Sequence, residues 1–116
     1  MRGMEALLDD QVEAMCQALA DRTRRDIVRR VMVEELSVSE LAASYEMSIA
    51  GVQKHVAVLE RAGIVSKQRV GRAQIAHVEM AAIRTVRSLL GELEDLWRAR
   101  VARIDDLLAD EEAAER

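Results

Sequence analysis

The side chains with most chemistry to offer lie between Ser48 and Arg72. The amide of Gln53 can bond adenine N6 and N7 together, and Lys54 can reach guanine O6 and N7, or a phosphate. Ser48 can donate to a phosphate as well as cap the helix that follows it. Ala50 and Gly51 are small, which lets the start of that helix approach a groove floor. A helix N-terminus also carries partial positive charge, which suits phosphates. His55 stands at the edge of the same face. Farther on, Lys67, Arg69 and Arg72 place three cations in one short stretch with no acid between them. Such a stretch can lie along a phosphate backbone or dip into a minor groove, where Arg is favoured. Taken singly, Gln53 and Lys54 read more readily as a solvated surface, and the three cations read equally as a soluble turn. Their setting on a capped helix after a short turn favours nucleic acid.

Other chemistries find less support. The one cysteine, Cys16, falls on an apolar helical stripe with no second thiol near it and is expected to be buried. A redox switch or metal ligand is the competing role. His55 and His77 are far apart and on different elements, whereas a zinc site needs three or four converging ligands. There is no Gly-rich phosphate loop, no nucleophile beside a base and no carboxylate dyad. The expectation is therefore no enzyme, no metal and no cofactor.

The elements that must position these groups follow from local signals. Asp9 or Asp10 can cap a first helix to about Leu19, with Val12, Met15, Cys16 and Leu19 on one stripe. Asp21 or Thr23 can cap a second, with Ile27, Val28, Val31 and Met32 inward. Arg22, Arg24 and Arg25 at its start oppose the helix dipole. A phosphate partner, or salt bridges to the acidic ends of the chain, would account for them. Ser37 and Glu40 form a capping box for a third helix, Val38 to about Tyr45, burying Val38, Leu41 and Ala42. The fourth, capped by Ser48, turns Ile49, Val52, Val56 and Leu59 to the core and stops at Gly63, a good left-handed residue. Two short helices joined by a tight turn, the second with a polar and cationic outer face, are the layout of a helix-turn-helix, which lays its second helix in the major groove. Two strands follow, Val65 to Val70 and Ala73 to Val78, around Gly71 and Arg72. The last helix runs from about Ala81 to Ala109. Ile83, Val86, Leu90, Leu93, Trp97, Val101, Ile104 and Leu108 recur along it, and Leu89, Leu96 and Leu107 widen the face. So long a stripe exceeds what a small domain can cover, which points to another subunit.

The whole chain agrees. Its 116 residues suit one domain, expected over residues 1–109 with a frayed acidic tail from Asp110 to Arg116. Half of them are apolar, but Phe is absent and Trp and Tyr occur once each, so the core must be aliphatic. No proline interrupts the helices. The net charge is −4, yet its distribution is uneven. Between Arg22 and Val78 there are ten Lys and Arg against six Asp and Glu, with one against five before and six against ten after. A basic middle between acidic ends fits a middle that faces phosphates. No apolar run could span a membrane, and the opening MRGMEALLDDQ is no secretory signal, so a cytoplasmic protein is expected.

The residues resemble the ArsR/SmtB family of winged-helix repressors over about Ala14 to Leu108. The matching pieces are ALADRTRRDIV, SVSELAASYEMS and VQKHVAVLERAGIV, followed by the basic hairpin and a terminal helix carrying Trp97. The resemblance implies a mainly α fold with a small β-hairpin wing, a winged helix-turn-helix of about five helices. It also implies an obligate homodimer through the first and last helices, where Val12, Met15, Leu90, Leu93, Trp97, Val101 and Ile104 are the candidate contacts. Two recognition helices would read a palindromic operator, and His55 would pack beneath the recognition helix. The chain departs from the pattern in two places. Arg22 stands where the family usually has Pro. Metal-sensing members carry paired cysteines in ELCxCD, and this chain has Ser37 and Ser39 there. Hydroxyls are poor ligands for soft metals. The last helix offers Glu92, Glu94 and Asp95 but no histidine, so metal sensing is not carried over.

The expected function is thus a repressor that binds double-stranded DNA as a homodimer, with Ser48, Ala50, Gly51, Gln53, Lys54, His55, Lys67, Arg69 and Arg72 as candidate contacts. The alternative is a winged-helix interaction module that never meets DNA. The sequence leaves open whether an inducer exists: a small-molecule effector, a redox signal at Cys16, or none.

Overall fold

A computed structural model describes residues 3–115; Met1, Arg2 and Arg116, the last residue of the expected acidic tail, lie outside them. The element order is α1 (Met4–Leu19), α2 (Arg22–Val33), α3 (Val38–Ala43), α4 (Ile49–Arg61), β1 (Val65–Val70), β2 (Ala73–Val78) and α5 (Met80–Ala114). Five helices and one antiparallel hairpin form the expected winged helix-turn-helix. The chain divides into two compact units, Met1–Val86 and Arg87–Arg116.

In the first unit the core is aliphatic. Ile27, Leu41, Val52, Val56, Leu59 and Ile64 are almost completely buried. Each contributes roughly 1.5–3 kcal/mol of apolar burial. Three caps act as their sequences demand. The Asp21 carboxylate accepts from the Arg24 N–H at 3.0 Å, Ser37 and Glu40 bond reciprocally at 3.1 Å, and Ser48 Oγ accepts from the Gly51 N–H at 3.0 Å. α4 ends in a Schellman motif. Gly63 takes φ +79°, its N–H bonds the Glu60 carbonyl, and the Ile64 N–H bonds that of Leu59, both at 3.0 Å.

The hairpin pairs Val65 with Val78 through Val70 with Ala73, leaving Gly71 and Arg72 as a two-residue loop. Gly71 has φ +62° and Arg72 is not left-handed, which fits a type II′ turn. The Ala76 N–H bonds the Leu36 carbonyl at 3.1 Å, tying the wing to the chain just before α3.

Several expectations are corrected. α1 begins six residues before Asp10, capped by Gly3 without a side chain, because Met4, Glu5, Ala6, Leu7 and Leu8 are good helix formers. Its inner face is Met15 and Ala18, so Met15 belongs to the protomer's own core and Cys16, one residue around the helix, is exposed. The exposed apolar residues of α1 are Met4, Leu7 and Leu8, while Val12 is half-buried. Met32, near the end of α2, is 47% exposed. Ile49 shares the period of Val52 and Val56 but is the first residue of α4, where nothing reaches over it, and it is 63% exposed. α3 stops at Ala43, and Val38 is only half-buried.

The second unit is the remainder of α5. It continues to Ala114, past the expected end near Ala109, since no glycine or proline stops it. Leu90, Leu93, Leu96, Trp97, Val101, Ile104, Leu107 and Leu108 are all 37–68% exposed along it. Arg98 pairs with Glu94 at 3.0 Å, and the Arg100 guanidinium stands 5.9 Å from the Trp97 ring centre.

Candidate nucleic-acid interface

The site is assembled on α4. Val52, Val56 and Leu59 anchor one side of this helix, which turns Ala50, Gln53 and Lys54 to solvent. Ser48 is exposed at the N-terminus with its oxygen engaged by the Gly51 N–H. Gly51 is half-buried, and the space around it explains its size. A Cβ there would lie 3.3 Å from Ser48 Oγ and 3.6 Å from Met47 Sδ, crowding the cap. Its smallness therefore serves the helix start first.

His55 is half-buried on one flank, with Nδ1 3.4 Å from Arg24 Nη1. A guanidinium only donates, so Nδ1 can serve only as the acceptor in this contact. His55 thus meets Arg24 of α2, with one ring nitrogen already engaged.

Arg24 has a larger task. Its Nε donates to the Ala18 carbonyl at 2.6 Å and its Nη2 to that of Gln17 at 3.1 Å, while Arg25 Nη1 donates to that of Leu19 at 2.9 Å. Two cations that oppose the dipole of α2 therefore complement the carbonyl end of α1. For Arg24, neither a phosphate nor an acidic end of the chain is needed to account for the charge. Asp21 is held below the usual carboxylate range chiefly by the Arg24 N–H, with the charge of Arg24 adding to it.

A second network fixes the turn that leads into α4. Tyr45 Oη donates to Asp26 Oδ2 at 2.5 Å, Arg30 Nε donates to the same oxygen at 3.0 Å, and the Arg30 guanidinium lies 5.2 Å from the Tyr45 ring centre. The Tyr45 hydroxyl, followed by Arg30, keeps Asp26 below its ordinary pKa. Burial, then the hydrogen bond and charge of Asp26, push Tyr45 up to about 12. Nothing in local spacing marked Tyr45, because its partner is nineteen residues away.

On the other flank of α4 lies the hairpin. Strand alternation puts Lys67, Arg69 and Gln74 on one face, with Arg72 at the tip. All four are exposed. Lys67 is not free of acids as the sequence suggested: its Nζ is 3.5 Å from Glu60 Oε1 on α4. Arg69 Nε donates to the Gly71 carbonyl at 3.3 Å, which braces the turn. An open cleft of about 410 Å³ separates helix and wing, lined by Gln53 and Ala57, by Lys67, Arg72 and Gln74, and by Ser39. The fold thus brings Gln53, Lys67 and Arg72 together. It adds Gln74 and Ser39, which the sequence reading missed; only the strand register and the position of α3 place them there. Among the described residues no group of three or more His, Cys, Asp or Glu could hold a metal ion.

Comparison with known proteins places this geometry. A helix-turn-helix domain family matches residues 19–68. The HTH-type transcriptional regulator Rv2034 of Mycobacterium tuberculosis is 30% identical over 95 residues, covering 82% of this chain and 86% of that protein. The crystal structure of an ArsR family transcriptional regulator superposes with a TM-score of 0.73 at 32% identity, covering 78% of this chain and 93% of its own. An ArsR-like transcriptional regulator from Rhodococcus sp. RHA1 gives 0.75 at 26% identity, covering 84% and 92%. A homodimeric winged helix-turn-helix DNA-binding domain from Mycobacterium bovis gives 0.65 at 24%, covering 82% and 88%, and so shows the shared fold. On this likeness in sequence and in structure, the chain belongs to the ArsR family of helix-turn-helix transcriptional regulators.

Proposed function

We propose that the protein is a transcriptional repressor that binds a palindromic operator as a homodimer, each protomer presenting α4 to one of two successive major grooves about 34 Å apart. The observation that carries this reading is the solvent-facing Gln53–Lys54 surface beside a cationic hairpin, across an open cleft. Gln53 and Lys54 read base edges. Arg69 and Arg72 hold phosphates, and Lys67 exchanges Glu60 for a phosphate when DNA arrives. Ser48, Ala50 and Gly51 bring the helix start up to the backbone, and His55 supports α4 from beneath. The dimer forms through the stripe of Leu90, Leu93, Trp97, Val101 and Ile104, and Leu7, Leu8 and Val12 of α1 offer further apolar contacts. The homodimeric state of the M. bovis domain and the exposure of this stripe support that assembly. No helix among the described residues is long and apolar enough to cross a membrane. Neither catalysis nor a metal is part of the reading, and occupancy of the promoter is the regulatory act.

The test is selection of bound duplexes from a random pool, followed by Gln53→Ala with Lys54→Ala on the selected site. The double variant should keep its fold and dimer and lose its preference for the selected site over random DNA. Unchanged preference would remove these residues from base reading. Failure of the wild-type protein to enrich any duplex would favour a winged helix that serves protein contacts instead.

A further inference from the structure

On α2, Arg22, Arg25 and Arg29 fall three and four residues apart, which puts them on one helix face. They line an open cleft of about 520 Å³ whose far wall is Tyr45, three residues before the cap of α4. Like charges at this spacing repel, and at a helix N-terminus they also oppose the dipole. For Arg24 and part of Arg25 the cost is met by the carbonyl end of α1. Arg22, in the first turn, has no such compensation, and among the described residues neither Arg22 nor Arg29, farther along the helix, has a hydrogen-bond or salt-bridge partner; both are exposed. The one acid in the cleft, Asp26, is already engaged by Tyr45 and Arg30. The cleft therefore sets three arginines against one carboxylate, Asp26, whose hydrogen bonds go to Tyr45 and Arg30 and whose charge Arg29 also feels.

Its position selects the anion. His55, on one flank of α4, meets Arg24 of α2, whereas Gln53, on the other flank, faces the wing across its cleft. Arg24 lies roughly 100–160° around α2 from Arg22, Arg25 and Arg29, and what links the arginine face to α4 is Tyr45, which lines its cleft three residues before the α4 cap. A major groove about 12 Å wide is itself bordered by two phosphate backbones.

We infer that Arg22, Arg25 and Arg29 form a second phosphate-binding ledge, gripping the backbone beside the turn that leads into α4. Thr23, at the cleft edge, adds a hydroxyl donor. This rests on the DNA-binding reading above and adds to it a contact surface outside the helix-turn-helix and the wing. The ledge contributes affinity and register and no base selectivity.

The test compares the full-length protein with Arg22→Gln/Arg29→Gln on the selected duplex, following affinity against salt. Each phosphate contact contributes about 0.9 to the slope of log affinity against log salt. A dimer presents four of the substituted arginines, so the slope should become shallower by about 3.6. Between 50 and 200 mM salt the wild-type protein should then lose about 150-fold more affinity than the variant. The ranking of duplex sequences should not change. An unchanged slope in a variant that melts and sedimentates as wild type overturns the ledge while leaving the DNA reading standing; a wild-type protein that binds no duplex sinks both. If the variant does not fold, ethylation interference on the wild-type protein decides. Blocked phosphates beyond the reach of the wing support the ledge, and blocked phosphates on the wing side alone overturn it. Protection of the wild-type protein by inorganic phosphate, with the duplex slope unchanged in the variant, would identify a small-anion site and overturn it too.

Discussion

Replacing Arg24 by alanine separates two accounts of the same residue. Judged by its helix alone, Arg24 is a cation in the first turn of α2, and its removal should stabilise the protein by a few tenths of a kcal/mol. The tertiary structure gives the opposite sign. Arg24 Nε at 2.6 Å is the partner of the Ala18 carbonyl, at the end of α1 where carbonyls have no partner within the helix. A hydrogen bond from a charged donor is worth about 1.5–3 kcal/mol. The Gln17 carbonyl keeps the Ala20 N–H at 3.2 Å, so its loss adds little. The lost cation at the carbonyl end of α1 adds about 0.3–1 kcal/mol. Together these predict a destabilisation of about 2–3 kcal/mol for Arg24→Ala. At roughly 4 °C per kcal/mol for a chain of this size, the melting temperature should fall about 8–12 °C. Arg24→Lys should recover only part of it, because a single ammonium cannot reproduce the fork that spans two carbonyls and His55. Thermal melts followed by circular dichroism measure both variants at one protein concentration. An Arg24→Ala protein that melts at or above the wild-type temperature would refute the capping role.

Tyr45→Phe should cost about 1 kcal/mol at neutral pH, since Asp26 retains Arg30 as a partner. The sharper signature is at high pH. The folded Tyr45 titrates near 12, above its unfolded value near 10, so the folded state holds this proton more tightly. Its contribution is complete below pH 10 and is lost as the pH rises toward 12. Denaturant midpoints at pH 8 and pH 11 should therefore diverge in the wild-type protein and show less loss in the phenylalanine variant; equal losses would remove Tyr45 from the alkaline transition. Trp97→Asp places a carboxylate in the exposed stripe of α5 and should shift the protein toward a 13.0 kDa monomer in sedimentation, with weaker operator binding. A dimer of unchanged affinity would move the interface elsewhere.

Much of this protein was decided by residues close together in the chain. The caps at Asp21, Ser37 and Ser48 are closed by bonds spanning three residues, and Val52, Val56 and Leu59 repeat with the helical period. Gly63 and Gly71 mark left-handed turns that other residues adopt at a cost. Such signals are complete within a few residues, so the helix-turn-helix, the hairpin and the outward face of Gln53 and Lys54 were legible from the sequence. Tertiary structure decided the rest, because the partners are remote or absent from any local pattern. Periodicity put Ile49 on the inner face, but no neighbour reaches the first turn of α4. Cys16 and Met15 are one residue apart, and only the placement of α1 against α2 and α4 determines which of them is buried. Arg24 looked misplaced until the end of α1 was set beside it, and Lys67 looked free until α4 brought Glu60 within 3.5 Å. A helical period specifies a direction around an axis, whereas burial and charge compensation depend on what the folded chain places in that direction.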